Sequence, residues 1–227
     1  LRVRFSDWDF SLWREQMVYA LPLLFAGLAG MVNETLDRAL IRHLVTDQQD
    51  AMNQLGIYGA CYKLSILMTL FIQAFRYAAE PFFFSQFGKD DAKETYARIT
   101  KYFCITCAIV FLGVMLYIDI FKHFIRNEVY WEGLRVVPIL LFANVFLGIY
   151  YNQSIWYKLS GQTRFGALIA ILGAIVTLGI NLLFIPEYGY MASAWATLIV
   201  YGFMMVLSYY MGQKYYPIKY NSRKFFL

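Results

Sequence analysis

Leu21 to Leu44 reads LPLLFAGLAGMVNETLDRALIRHL, and its apolar length decides the fold. A charge-free run from Gln16 to Asn33 carries straight into Glu34, Asp37, Arg38 and Arg42. Pro22 sits near the expected start of a helix, where a missing N–H costs little. As a helix rising about 1.5 Å per residue, Met17 to Leu44 would measure roughly 42 Å, against a hydrocarbon core of roughly 30 Å. The charged end therefore lies either beside water or inside a polar cavity.

The rest of the chain follows the same pattern. It is 60% hydrophobic and 15% charged, where a soluble domain carries about 25% charged residues. The charges are clumped, leaving six apolar windows long enough to cross a bilayer: 17–44, 54–79, 99–119, 135–156, 165–185 and 191–211. The expected fold class is an all-α polytopic membrane protein. Residues 1–16, mixed aromatic and basic, suit a cytoplasmic interfacial segment. Residues 212–227 form a basic tail leading toward a further helix. With Leu at position 1, the chain is expected to be a fragment open at both ends.

A net charge of +5 could point to nucleic acid, but the positions of the cations argue against that partner. Thirteen of the twenty Lys and Arg residues fall at the amino end, in the loops after spans two and four, and in the tail. Only Arg42, Lys122, Arg126 and Arg135 fall in the alternate loops, while Arg38, Lys63 and Arg76 lie within spans. The positive-inside rule then places both ends in the cytoplasm. The expected location is a membrane that the chain crosses several times.

Nothing in the chain makes an enzyme. No phosphate loop, HExxH or Ser-His-Asp set occurs in a usable place, and spans three to six gather almost no polar groups. Cys104 and Cys107 have redox or metal spacing, yet no other Cys or His accompanies them in the span, so they read as small buried apolar residues. His43 and His123 fall at span boundaries. No metal or cofactor is expected, apart from H+ or Na+ as a coupling cation.

Several local features read as architecture. Val45 to Asn53 is a short polar turn, making spans one and two an antiparallel hairpin. Arg76 and Glu80 are one turn apart before Pro81 and read first as an interfacial ion pair that stops span two. Lys101 is placed to snorkel. Phe121 to Trp131 look amphipathic, and Tyr150, Tyr151, Trp156 and Tyr157 look like an aromatic belt. Gly161 supplies a turn, and Pro186 to Gly189 joins spans five and six. Small residues at 166, 170, 173 and 174, and Ser193 and Thr197 opposite, allow close helix approach. Asn181 is expected to bond a neighbouring helix.

Ionisable residues inside a span are costly, about 2.5–3.5 kcal/mol each at the bilayer centre, and face a partner or a cavity. They concentrate in spans one and two. Glu34, Asp37 and Arg38 share a helix face. Glu34 and Lys63 are nearly equidistant from residue 49, the middle of the expected turn, and Asp37 and Lys63 nearly so. A span-one carboxylate and the Lys63 ammonium should therefore meet at one depth. Two readings stand: a structural ion pair between adjacent helices, or a hydrated cavity whose cations hold an anionic headgroup.

Three stretches, in order, resemble the bacterial oligosaccharide-lipid flippases of the multidrug/oligosaccharidyl-lipid/polysaccharide exporter superfamily. YALPLLFAGLAGMVNETLDRALI (19–41) is similar to the first helix of the carboxyl-terminal lobe, with its Leu-Pro and Asp-Arg marks. LGIYGACYKLSILMTLFIQAFRYAAEPFF (55–83) resembles the next helix and its Glu-Pro exit. SGQTRFGALIAILGAIVTLGINLLFIPEYGYMASAWATLIVYG (160–202) resembles the late hairpin.

The resemblance implies one lobe of a two-lobe transporter working by alternating access, with an amino-terminal lobe outside this chain. It implies a polyprenyl-diphosphate-linked oligosaccharide as substrate, moved for surface polysaccharide assembly. Arg38, Lys63 and Arg76 are then the expected diphosphate-binding residues, with Glu34 or Asp37 as the coupling or ion-pair group. Asp37 and Arg38 carry the family's Asp-Arg mark, whereas Lys63 rests on the depth argument alone. The alternatives are a drug/cation antiporter of the same superfamily and, further off, a membrane polymerase or ligase. The latter would need an outer loop longer than the roughly fifteen residues available.

Overall fold

The computed structural model describes residues 9–218, and among these every regular element is helical. Arg2, Arg4 and the tail cations Lys219, Arg223 and Lys224 lie outside the described residues. Six helical segments are long and apolar enough to cross a membrane. The protein is an all-α, multi-pass membrane protein, as its composition indicates.

Helix α1 runs Phe10–Leu44, starting well before the expected span. Asp9 caps it, its carboxylate accepting from Ser11 N at 2.8 Å, an ordinary use of Asp at an N-cap. Pro22 consequently lies inside the helix rather than at its start, where its missing N–H leaves the Val18 carbonyl without a helical donor. Helix α2 spans Gln48–Gln86, capped by Asp47, which accepts from Gln49 N at 3.0 Å. The connection between them is only Val45–Thr46–Asp47, much shorter than the expected turn. Nor does Pro81 stop the second helix, which continues through it to Gln86.

Helix α3 spans Ala92–Leu116, followed by a short α4 (Ile118–Phe121) and two 3-10 turns, Lys122–Phe124 and Glu128–Val136. The second turn runs directly into α5 (Val137–Gln153). A break at Ser154 starts the short α6 (Ile155–Leu159). Gly161, at φ +69°, turns the chain into α7 (Thr163–Tyr188). Gly189 alone, at φ +57°, separates α7 from α8 (Tyr190–Tyr215). Pro186 falls within the last turn of α7, so the expected four-residue turn is a single glycine.

Packing explains the cavity described below. Helix α1 leans chiefly on α7, and α5 chiefly on α8, while α1 touches α2 far less. The three-residue connection closes the α1–α2 hairpin at one face, and the leaning of α1 on α7 spreads it toward the other. The small-residue expectations hold at close range. A Cβ on Gly166 would meet the Tyr157 ring at 2.7 Å, and one on Gly173 would meet Met204 Sδ at 2.6 Å. Asn181 accepts from Ser193 of α8 at 3.0 Å, and Thr177 donates to Asn33 of α1 at 2.8 Å. Cys61 and Cys107 are buried in the apolar cluster between α2, α3 and α5.

Candidate functional site

The gap between the splayed helices is a cavity of about 500 Å³. Its walls are α1, from Tyr19 to Glu34, and α2, from Gln73 to Phe84; α5, α6, α7 and α8 form the back. Four ionisable side chains line it: Glu34, Arg76, Glu80 and Lys158. Tyr19, Tyr150, Tyr151, Tyr157 and Tyr201 line it too, so much of its wall is amphipathic.

Glu80 organises the charges. Its carboxylate accepts from the Lys158 ammonium on one oxygen, and its other oxygen lies 3.7 Å from Arg76 Nε. The Lys158 side chain is 12% exposed. It enters the cavity wall from α6, one helical turn after Ser154. Arg76 places its guanidinium 4.6 Å from the centre of the Tyr151 ring, a stacking that leaves the fork's edge for hydrogen bonds. One carboxylate thus holds two cations, and Glu34 brings the cavity close to neutrality.

Two contacts tie the rim together at the end where α1 begins. Tyr19 donates to the Lys158 carbonyl at 3.3 Å, and Thr163 donates to the Tyr19 carbonyl at 2.9 Å. At the hairpin end the helices are joined differently. The Tyr58 hydroxyl donates to the Asp37 carboxylate, which also accepts from Arg38 N at 2.8 Å. One turn along α2, Tyr62 lies against the Glu34 carboxylate, with the Arg38 guanidinium 4.3 Å from its ring centre.

Of the five expected site residues, the fold brings Glu34 and Arg76 to the cavity. Arg38 adjoins it on Tyr62. Asp37, 2% exposed, is spent in the α1–α2 interface. Lys63 does not meet a span-one carboxylate, because it projects from the other side of α2. Equal depth is not enough to bring two side chains together. The partners at that depth are Tyr58 and Tyr62, and Lys63, one residue beyond Tyr62, is rotated about 100° away.

Lys158 is the main residue that sequence reasoning misses, since it has the look of a loop cation. Its partner Glu80 is far away in sequence, and no local pattern links them. The expected aromatic belt is also displaced: Tyr150, Trp156 and Tyr157 are buried. Tyr150 and Tyr157 face the cavity, their hydroxyls 3.4 Å apart, and Trp156 donates to Ser208 of α8 at 3.3 Å.

No known family model, curated protein or solved structure matches the chain.

Proposed function

We propose that this chain is the carboxyl-terminal lobe of a transporter that flips polyprenyl-diphosphate-linked oligosaccharide across a bacterial inner membrane, with both ends cytoplasmic. The observation that carries the reading is the cavity between α1 and α2, where Arg76 and Lys158 are held by the single carboxylate of Glu80. A diphosphate supplies two strong anionic acceptors. It would exchange with Glu80, taking Arg76 through the guanidinium fork and Lys158 as a point charge. Exchanging one anion for another spares the desolvation cost of an unpaired cation.

The cavity falls in the usual range for small-ligand sites, roughly 300–1,000 Å³. It suits a diphosphate with its first sugar, while the apolar flank of α1 offers a path for the prenyl chain. Glu80, released, and Glu34, against Tyr62, are the groups that would take a coupling H+ or Na+. Lys63 has no place in this scheme, and Arg38 acts through Tyr62.

The test is complementation of a strain lacking its own flippase. Arg76→Ala and Lys158→Ala should abolish surface polysaccharide at normal protein level, while Lys63→Ala should preserve it. Normal export by both cavity variants would refute the proposal. The presence of two carboxylates favours a second reading, a drug/cation antiporter. Glu34→Gln and Glu80→Gln would then lower drug resistance while leaving polysaccharide staining unchanged.

A further inference from the structure

A second recess lies on the far side of α2. It is a groove of about 680 Å³ between α2 and the segment that follows α3. Lys63 and Arg126 line it among Leu64, Leu67, Phe121 and Phe124. No carboxylate is among its lining residues. Neither Lys63 nor Arg126 makes an ion pair, hydrogen bond or ring contact among the described residues. The neighbouring carboxylate of Asp119 is occupied by Lys122, at 2.6 Å, which holds its carboxyl below the usual carboxylate range.

The depth of the groove identifies its occupant. Counting both ways from the middle of the Phe87–Asp91 connection, Lys63 lies level with Met115, in the last turn of α3. That is where the apolar span gives way to polar chain. Around it, Leu67, Leu116, Ile120 and Phe124 expose large apolar surface. The arrangement is an apolar slot topped by two cations at the boundary between acyl chains and headgroups. Lys63 can run its stem along the slot and lift its ammonium to that boundary.

We propose that this groove binds an anionic phospholipid, its phosphate between Lys63 and Arg126 and an acyl chain along Leu64, Leu67 and Phe121. The charge complementarity is local: cations without counter-ions meet a phosphate at its own depth. The site is independent of the transport reading, since it lies on the opposite side of α2 from the cavity.

The test uses the purified chain, delipidated in a neutral detergent and offered phosphatidylglycerol or phosphatidylcholine. Bound lipid is counted by native mass spectrometry. The wild type should retain at least fivefold more phosphatidylglycerol than phosphatidylcholine. Lys63→Gln/Arg126→Gln should bring that ratio near one, whereas Lys63→Arg/Arg126→Lys and the control Lys122→Gln should keep it. Circular dichroism checks folding, and each single Gln exchange, read in the same way, serves should the double variant not fold. An unchanged ratio in both singles overturns the proposal. So does full displacement of the lipid by an equal concentration of soluble glycerol phosphate, which would make the groove a simple anion site.

Discussion

Tyr58 donates its hydroxyl hydrogen to the Asp37 carboxylate, bolting α1 to α2 close to their turn. Both side chains are buried, at 0% and 2% exposure. Removing the donor would leave one oxygen of the buried carboxylate without its partner, the other still accepting from Arg38 N. Tyr58→Phe should therefore destabilise the protein by about 1–3 kcal/mol. Adding Asp37→Asn should cost less in the Tyr58→Phe background than in the wild type, giving a coupling of about 1 kcal/mol or more in a double-mutant cycle. Thermal or denaturant unfolding in detergent measures it, and additive effects would show the bolt to be idle.

Glu80 carries more of the cavity's electrostatics than either cation. Glu80→Gln leaves Lys158 partly buried without a counter-charge and should cost about 1–3 kcal/mol, discounted from a fully buried pair because water reaches the cavity. Arg76→Gln removes a longer, more exposed contact and should cost at most about 1 kcal/mol. Unfolding midpoints of the two variants give the ordering. The reverse order would mean that Arg76 is the true partner.

Gly133 sits where the 3-10 turn crosses α2. A Cβ there would lie 2.4 Å from Ile57 Cγ2 and 2.8 Å from Cys61 Sγ. Gly133→Ala should destabilise by about 1–3 kcal/mol through overpacking. Gly59, on the same helix as Ile57, has nothing within 4 Å of such a Cβ. Gly59→Ala should be neutral or stabilising by up to about 1 kcal/mol, since Ala is the better helix former. Equal effects would contradict the packing of the turn on α2.

A water-filled cavity can be probed chemically. In a variant with Cys61, Cys104 and Cys107 replaced, Gln73→Cys on the cavity wall should react with a membrane-impermeant maleimide added from the side on which α1 begins. Asn181→Cys, fully buried between α7 and α8, should react at least tenfold more slowly. Similar rates would mean that the gap between α1 and α2 is closed to water.

The six spans are legible because a bilayer demands long uncharged windows, and composition alone supplies them. Helix–helix details carried by small residues are legible too, as with Asn181 and Ser193. The site is only half legible. Depth along a helix can be counted from sequence, but azimuth depends on which neighbour the helix leans on. Here α1 leans on α7, so Tyr58 and Tyr62 face it and Lys63 faces away. Lys158 and Glu80 meet through the packing of α6 on α2, which no local pattern announces. The extra helical turns at Phe10 and after Pro81 go unannounced because the charges at Arg14, Glu15 and Glu80 end the apolar windows without ending the helices.

The short connection Val45–Thr46–Asp47 also has a mechanical consequence. With Asp37 bolted to Tyr58, α1 and α2 behave as the arms of a pair of tongs, hinged at their connected end. From Asp37 to Tyr19 the arm is about 27 Å long at helical rise. A swing of about 10° would carry Tyr19 by about 5 Å, by simple lever geometry on that length. The swing is resisted by the packing of α1 on α7 and by the pair of hydrogen bonds joining Tyr19 to Lys158 and Thr163, each of which contributes about 0.5–1.5 kcal/mol. The tip of the arm is tied to the site itself, because the carbonyl that Tyr19 holds belongs to Lys158, the cation that grips Glu80.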